Sequence, residues 1–298
     1  LKMVTKRNKK IKLTVGEQIG RAVIVLLLIA MCVAVIYPFM NMIAISLSDK
    51  YAIDRREVTI SPVDFTARAY GMVAQNKYLW LAYGNTLFGC VIGTVLGVVL
   101  TAFAAYPMVF NNFGWNKVYS VFIPITMWFS AGSIPSFIVV NKLGLFDNHW
   151  ALILTGLLSA FDIIVMRSFF AGVSKSIVEA AQIDGANDML TLFVVVLPMS
   201  KAVIATIALW NFIAQWNSYM GPLLYIRTKE KYTLQLLLQE IVLNSALSDF
   251  SLGDNPQLIS QEQVKNAILV FSILPTLIIY PFIQKYFSKG VTIGAVKG

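Results

Sequence analysis

Residues 179–186 read E-A-A-Q-I-D-G-A, set between V-M-R-S-F-F (165–170) and L-F-V-V-V-L-P (192–198). A short polar stretch thus separates two apolar runs, and its reading decides where the chain turns. Glu179 and Asp184 stand five residues apart among alanines and a glycine. Ser176-Ile177-Val178-Glu179 has the S-x-x-E form of a capping box, in which the hydroxyl and the carboxylate satisfy free N–H groups of the first turn. Gly185 suits the left-handed conformation that ends a helix. The pattern predicts a helix over about 177–184, with Ile177, Ala180, Ala181 and Asp184 on one face. Such a helix can serve as a stiff peg for a groove in another protein. The same residues also fit an ordinary interhelical loop whose acidic start suits the helix dipole.

The flanks are more hydrophobic than a soluble domain. The 298 residues are 57% hydrophobic and 13% charged, with mean hydropathy +0.70; soluble domains carry about 25% charge. The apolar residues fall in six blocks, roughly 21–45, 84–110, 117–140, 150–171, 192–216 and 266–287. Some 20 residues at ~1.5 Å each cross a ~30 Å hydrocarbon core. The fold class is therefore an all-α membrane protein with six transmembrane helices. The first block is too long for a cleaved signal peptide, and no small-residue cleavage site follows it. The third carries P-I-T-M-W-F-S-A-G-S-I-P (124–135). A broken helix there needs protein or a water-filled cavity around it.

Six spans put both termini on one side. Grouping the N-terminal K-R-N-K-K-I-K (6–12), the 111–117 turn, the 172–191 loop and the C-terminus gives 14 Lys/Arg against four acids on that side. The other side is balanced and Asp162 lies within the fourth block, so the basic excess behind the +9 net charge is all on the first side, which the positive-inside rule makes cytoplasmic. Orientation explains the charge without a nucleic-acid partner, and the basic run also suits contact with anionic membrane lipid. Three regions follow: a basic cytoplasmic segment (1–20), a six-helix membrane domain (21–288) and a cytoplasmic tail (289–298). The domain holds the short helix at about 176–188.

Loops on the far side are long, at 46–83 and 217–265. The second contains Y-T-L-Q-L-L-L-Q-E-I-V (232–242), with Leu234, Leu237, Leu238 and Ile241 at helical spacing. That predicts an amphipathic helix outside the membrane, lying on it or against a partner. Gly89, Gly93 and Gly97 share one helix face, which permits close helix packing.

Catalytic signatures are absent. The sequence has no G-x-x-x-x-G-K-[ST], H-E-x-x-H or G-x-S-x-G, so it reads as a non-enzyme with no metal site and no cofactor of its own. Cys32 and Cys90 lie inside apolar blocks as packing residues. His149 reads as an interfacial residue beside Trp150. Asp162 lies within the fourth block, where Arg167 or Lys201 offers it a partner; one such acid is too few for an ion relay.

The spacing of residues 179–198, E-A-A-Q-I-D-G-A followed by ten residues to Leu-Pro ending at Pro198, resembles the signature of membrane subunits of binding-protein-dependent ABC importers. Gly185, Leu197 and Pro198 match, and Val195 stands where Ile is usual. The ending K-G-V-T-I-G-A-V-K-G (289–298) is similar to the tail of maltose-type sugar importer subunits. Y-P-F-M-N-M-I-A-I-S-L-S (37–48), T-M-W-F-S-A-G-S-I-P (126–135) and W-N-S-Y-M-G-P-L-L-Y-I (216–226) resemble a branch associated with uronate-containing oligosaccharides, of alginate or pectin type.

The resemblance implies a multi-pass subunit of the bacterial cytoplasmic (inner) membrane. Its partners would be a second permease subunit, two ATPase subunits that hold ATP and Mg, and an extracytoplasmic solute-binding protein. Glu179, Ala180, Ala181, Asp184 and Gly185 would form the coupling helix, and Gly294 and Lys297 would reach the ATPases. Loop 217–265 would contact the binding protein. A saccharide needs aromatic faces beside hydrogen-bonding groups, and W-N-F-I-A-Q-W-N-S-Y (210–219) offers them. Asn211, Gln215 and Ser218 share one face, while Trp210 and Asn217 form another. The candidate substrate path is Asp162, Asn211, Gln215, Trp216, Asn217 and Ser218. The rival readings are an ABC permease for a non-sugar solute, an ion-coupled carrier and a membrane scaffold.

Overall fold

Breaks inside the apolar blocks shape this chain as much as the blocks do. The computed structural model describes residues 14–110, 115–129, 131–244, 259–275 and 277–278, and every regular element among them is a helix. The chain divides into two compact units, Leu1–Gly71 with Leu252–Val270, and Met72–Ser251 with Phe271–Gly298.

In the first unit, α1 (Val15–Ser46) starts on a capping box that the sequence reading missed. Thr14 Oγ1 accepts from the Glu17 N–H at 3.4 Å, and the Glu17 carboxylate accepts from the Thr14 N–H at 2.7 Å. Thirty-two residues reach about 48 Å, more than the hydrocarbon core requires. Residues 15–40 are exposed all round, including Leu26, Leu27 and Ile29. A helix apolar on every side is suited to lipid or another protein, not water.

Beyond α1 the chain folds back on itself. Ser48 Oγ donates to Ala44 O at 2.7 Å and accepts from the Val63 N–H at 3.0 Å. The Asp49 N–H donates to Val63 O at 3.1 Å and the Thr66 N–H to Leu47 O at 2.9 Å. These bonds enclose a small core of Ala44, Ala52, Ile53 and Val58, to which α2 (Lys50–Asp54) contributes. The chain passes into the second unit within α3 (Arg68–Gln75).

The second unit is built on α4 (Lys77–Ala105), continued after Tyr106 by α5 (Pro107–Phe110). Asn76 caps α4, its Oδ1 accepting from the Leu79 N–H at 3.0 Å. The third block is two helices, α6 (Asn116–Thr126) and α7 (Ser133–Lys142), with Gly132 at φ +82° before α7.

The fourth block departs from a single straight span. It is α8 (His149–Thr155) and α9 (Ala160–Phe170), bent by 52°. Gly156 ends the first piece, and Ser159 caps the second by accepting from the Asp162 N–H at 3.4 Å.

The fifth block breaks more sharply. After α10 (Lys175–Ile183), α11 (Asp188–Thr191) runs through a π-helical turn (Leu192–Val196) into α12 (Leu197–Met199). Then α13 (Lys201–Trp216) leaves at 88°. The bend falls at Ser200, whose backbone leaves the helical range at φ −104°, ψ 20°; Pro198 acts on its N-terminal side, where it has no N–H to donate and its ring clashes with the carbonyl four residues back. The π turn absorbs that misfit. Two described helices, Val15–Ser46 and Lys77–Phe110, are long and apolar enough to cross a membrane, or four if each bent pair counts as a span. The sixth block is helical over 261–275, labelled α16, and most of its remainder lies outside the described residues.

α4 packs against α13, α9, α8 and α15 (Leu234–Asn244). One core joins Ala102, Ala105, Met166, Phe170, Val178, Leu192, Val203 and Ile207. A second gathers Val140, Ala151 and Tyr225, with Phe137 stacked on Tyr225 at 6.3 Å. α14 (Met220–Tyr225) lies between α7, α8 and α15. The amphipathic helix also differs from expectation. Leu234, Leu237 and Ile241 of α15 are buried, and the chain's own α4 and α14 cover the apolar face instead of lipid or a partner.

Candidate functional site: an exposed peg and a polar seam

The peg begins at α10. Its N-cap is Ser174, not Ser176, and no side chain caps it. The Ser176–Glu179 capping box does not form. Ser174 Oγ instead pairs with Ser176 Oγ at 2.7 Å. At the other end the sequence reading holds. Gly185 sits at φ +88°, the Ala186 N–H donates to Ala181 O at 2.9 Å, and the Gly185 N–H donates to Gln182 O at 3.1 Å. This pair of bonds is a Schellman motif, which consumes carbonyls the helix end leaves free.

α10 has two unlike faces. Val178 is 3% exposed, pinned in the main core with Phe170 and Leu192. Burying such a side chain contributes about 1.5–3 kcal/mol. Ser176, Glu179, Ala180 and Ile183 run along the opposite face at i, i+3, i+4 and i+7, and all are exposed. Ile183 is 85% exposed, an apolar side chain that none of the described residues covers. Ala181 is half-buried, while Ile177, Asp184 and Gly185 are exposed. The peg is therefore held from beneath and free above. Gly294 and Lys297 lie outside the described residues.

The seam runs along α4. Asn211 and Gln215 of α13 face the glycine stripe, two features that the sequence showed separately. A Cβ at Gly93 would stand 2.0 Å from Gln215 Nε2, and one at Gly97 would stand 3.1 Å from Leu157 O and 3.6 Å from Asn211 Nδ2. No side chain fits Gly93 while Gln215 keeps its seat. Asp162 is buried with Asn211 beside it, and among the described residues it forms no ion pair with Arg167 or Lys201. Trp216 is 5% exposed, its ring between Phe212 at 6.0 Å and Tyr83 at 6.4 Å. Asn217 and Ser218 are exposed, and Asn217 Nδ2 donates to Ile213 O at 3.0 Å.

Above the seam the strap 226–234 crosses the end of α4. Asn85 Nδ2 donates to Glu230 O at 2.8 Å and to Tyr232 O at 3.0 Å. Thr86 Oγ1 accepts from the Leu234 N–H at 2.8 Å. His149 Nε2 meets Lys231 O at 3.0 Å, so His149 is a tether rather than a bystander. Asp147 is the hub. Its Oδ1 accepts from the Arg227 and Thr228 N–H groups at 2.9 Å each, and Lys231 Nζ reaches its Oδ2 at 2.9 Å. Burial raises the Asp147 carboxyl, but the bonds from Thr228, Lys231 and Arg227 outweigh it and hold the group well below the usual carboxylate range. No sequence motif announces this hub, because its partners lie about 80 residues away.

Residues 79–293 match the family described as binding-protein-dependent transport system inner membrane component. The chain belongs to this family. It is 35% identical over 268 residues to the polygalacturonan/rhamnogalacturonan transport system permease protein YtcP of Bacillus subtilis, covering 88% of this chain and 93% of that one. It is 36% identical to protein LplC of the same organism over 265 residues, covering 88% and 90%. In structure it is similar to a chain of a bacterial ABC transporter involved in the import of the acidic polysaccharide alginate. There the TM-score is 0.88 at 35% identity, over 93% of this chain and 99% of that chain. A chain of a bacterial alginate ABC transporter in complex with an alginate pentasaccharide-bound periplasmic protein shares the fold, with TM-score 0.57 at 16% identity over 90% and 95%. The family's membrane location accords with the apolar helices.

Proposed function

We propose that this chain is one transmembrane subunit of an ATP-driven importer for uronate-containing oligosaccharides, with α10 as the element on which a separate ATPase acts. The observation that carries the reading is the exposed Glu179–Ile183 face of α10, anchored through Val178 to the core shared by α4, α9 and α13. A force on that face passes into the bundle because the helix is capped by Gly185 and packed beneath. ATP binding and hydrolysis belong to two separate ATPase subunits. A second permease subunit completes the pathway, and a solute-binding protein delivers the sugar.

In this reading the chain spans the bacterial inner membrane six times with both termini inside. Residues 1–20 form the basic N-terminal segment, 21–288 the permease domain and 289–298 the tail, with Gly294 and Lys297 reaching the ATPases. The acidic-polysaccharide transport named for the relatives supports the substrate class. Asn217 and Ser218 are exposed and make the first saccharide contacts. Asp162, Asn211, Gln215 and Trp216 form the packed wall behind them. Transport follows by alternating access, in which nucleotide shifts a two-state equilibrium through the peg. The test is ATP-dependent uptake of a pectin- or alginate-derived oligosaccharide by the reconstituted complex. Uptake driven by an ion gradient without ATP overturns the proposal.

A further inference from the structure

Beneath the strap lies a cavity of about 40 Å³, bounded by Thr86, Cys90, His149, Gln215, Ser218 and Thr233 among others. One ordered water needs roughly 10–15 Å³ of such space, so a few waters fit and a sugar ring does not. The walls carry uncommitted polar groups. Thr233 is 8% exposed, and its Oγ1 has no hydrogen-bond partner among the described residues. The Gln215 amide, seated against Gly89 and Gly93, also lines this space, and the exposed Ser218 stands on its open side. A buried hydroxyl without a partner is costly, and a roomy polar cavity is where water supplies one. By contrast, Asn85, Thr86 and His149 spend their side chains on the strap's backbone.

We propose that this cavity is a hydration site: ordered waters bridge Thr233 and Gln215, and the Asp147 clamp seals their strap side. Lifting the strap opens the site. Its part in transport rests on the function proposed above; its hydration and its clamp do not.

Cys90 reports on it, since it lines the cavity and is buried. With Cys32→Ser, Cys90 is the only cysteine left in this chain. The assembled transporter in membrane vesicles is treated with a small ammonium-bearing methanethiosulfonate, without nucleotide, and Cys90 modification is timed. Asp147→Gly keeps the left-handed backbone that Asp147 adopts at φ +58° while removing the hub. Lys231→Met breaks the clamp from the other side. Both variants raise the Cys90 rate at least tenfold, and Asp147→Asn raises it less. Thr233→Val keeps the shape but deprives the waters of a partner, and raises the rate about threefold. Clamp variants within twofold of the parent overturn the seal. A Thr233→Val rate equal to or below the parent overturns the hydration, because an unhydrated hydroxyl is lost without penalty. These comparisons need no uptake, so they stand apart from any failure of ATP-driven transport.

Discussion

Replacing Gly93 by alanine tests the seam directly. The added Cβ would lie 2.0 Å from Gln215 Nε2, 2.6 Å from Oε1 and 2.7 Å from Cδ. Carbon contacts are favourable at about 3.5–4 Å, so the amide must retreat by roughly 1.5 Å. The atoms it meets are the far end of a flexible side chain that can turn aside, so the cost sits at the low end of overpacking, about 1 kcal/mol. The gain in helix propensity returns close to ~1 kcal/mol. Gly84→Ala is the control: it lies in the same helix with no atom within 4 Å, so it keeps the propensity gain alone. Gly93→Ala is thus expected to be about 1 kcal/mol less stable than Gly84→Ala. At roughly 2–4 °C per kcal/mol, the difference is readable in the thermal melting of the purified complex. Gln215→Ala removes the obstacle, so the double variant recovers most of that loss as coupling between neighbours. Gly93→Ala melting with Gly84→Ala, or the absence of rescue, refutes the seating of Gln215.

The peg yields two further predictions. Glu179→Lys leaves the core untouched and cuts ATP-driven uptake below a tenth while the complex still co-purifies. Gly185→Val forces a β-branched residue into φ +88°, a strain of about 1–3 kcal/mol at the Schellman turn, and lowers uptake with membrane insertion intact. Trp216→Ala costs about 3–5 kcal/mol in melting, since it empties a buried ring site, and leaves the KM of the remaining uptake unchanged. Asp147 has a depressed folded pKa, so its stabilisation is present above the unfolded value of about 4 and is lost only below it. Acidification from pH 7.5 to 5 therefore leaves the clamp closed, and Cys90 labelling, normalised to a free thiol at the same pH, stays slow in the parent chain; a normalised rise with acid contradicts the clamp.

Apolar blocks were legible because a membrane imposes length and composition on any helix that crosses it. The breaks inside them were written less loudly. Pro198 ended a family signature in the sequence, yet its missing N–H and ring bear on the π turn before it, and the 88° bend follows at Ser200. Gly156 and Ser159 were an end and a start signal hidden in a hydrophobic run. At the peg, Gly185 was readable because left-handed backbone selects glycine. The start was misread because two serines, Ser174 and Ser176, both fit a cap and only the fold chooses. The glycine stripe and the Asn211–Gln215 face were each visible by helical period. Their meeting across α4 and α13 is tertiary, and no spacing encodes it. The Asp147 hub was invisible for the same reason.

The most direct test of the account is ATP-driven uptake by proteoliposomes holding the complete transporter, with Glu179→Lys beside the parent chain. The account predicts robust oligosaccharide uptake in the parent that requires ATP. In the variant it predicts nucleotide hydrolysis by the ATPase subunits that no longer drives uptake. Uptake by Glu179→Lys equal to the parent, or parent uptake indifferent to ATP, contradicts it.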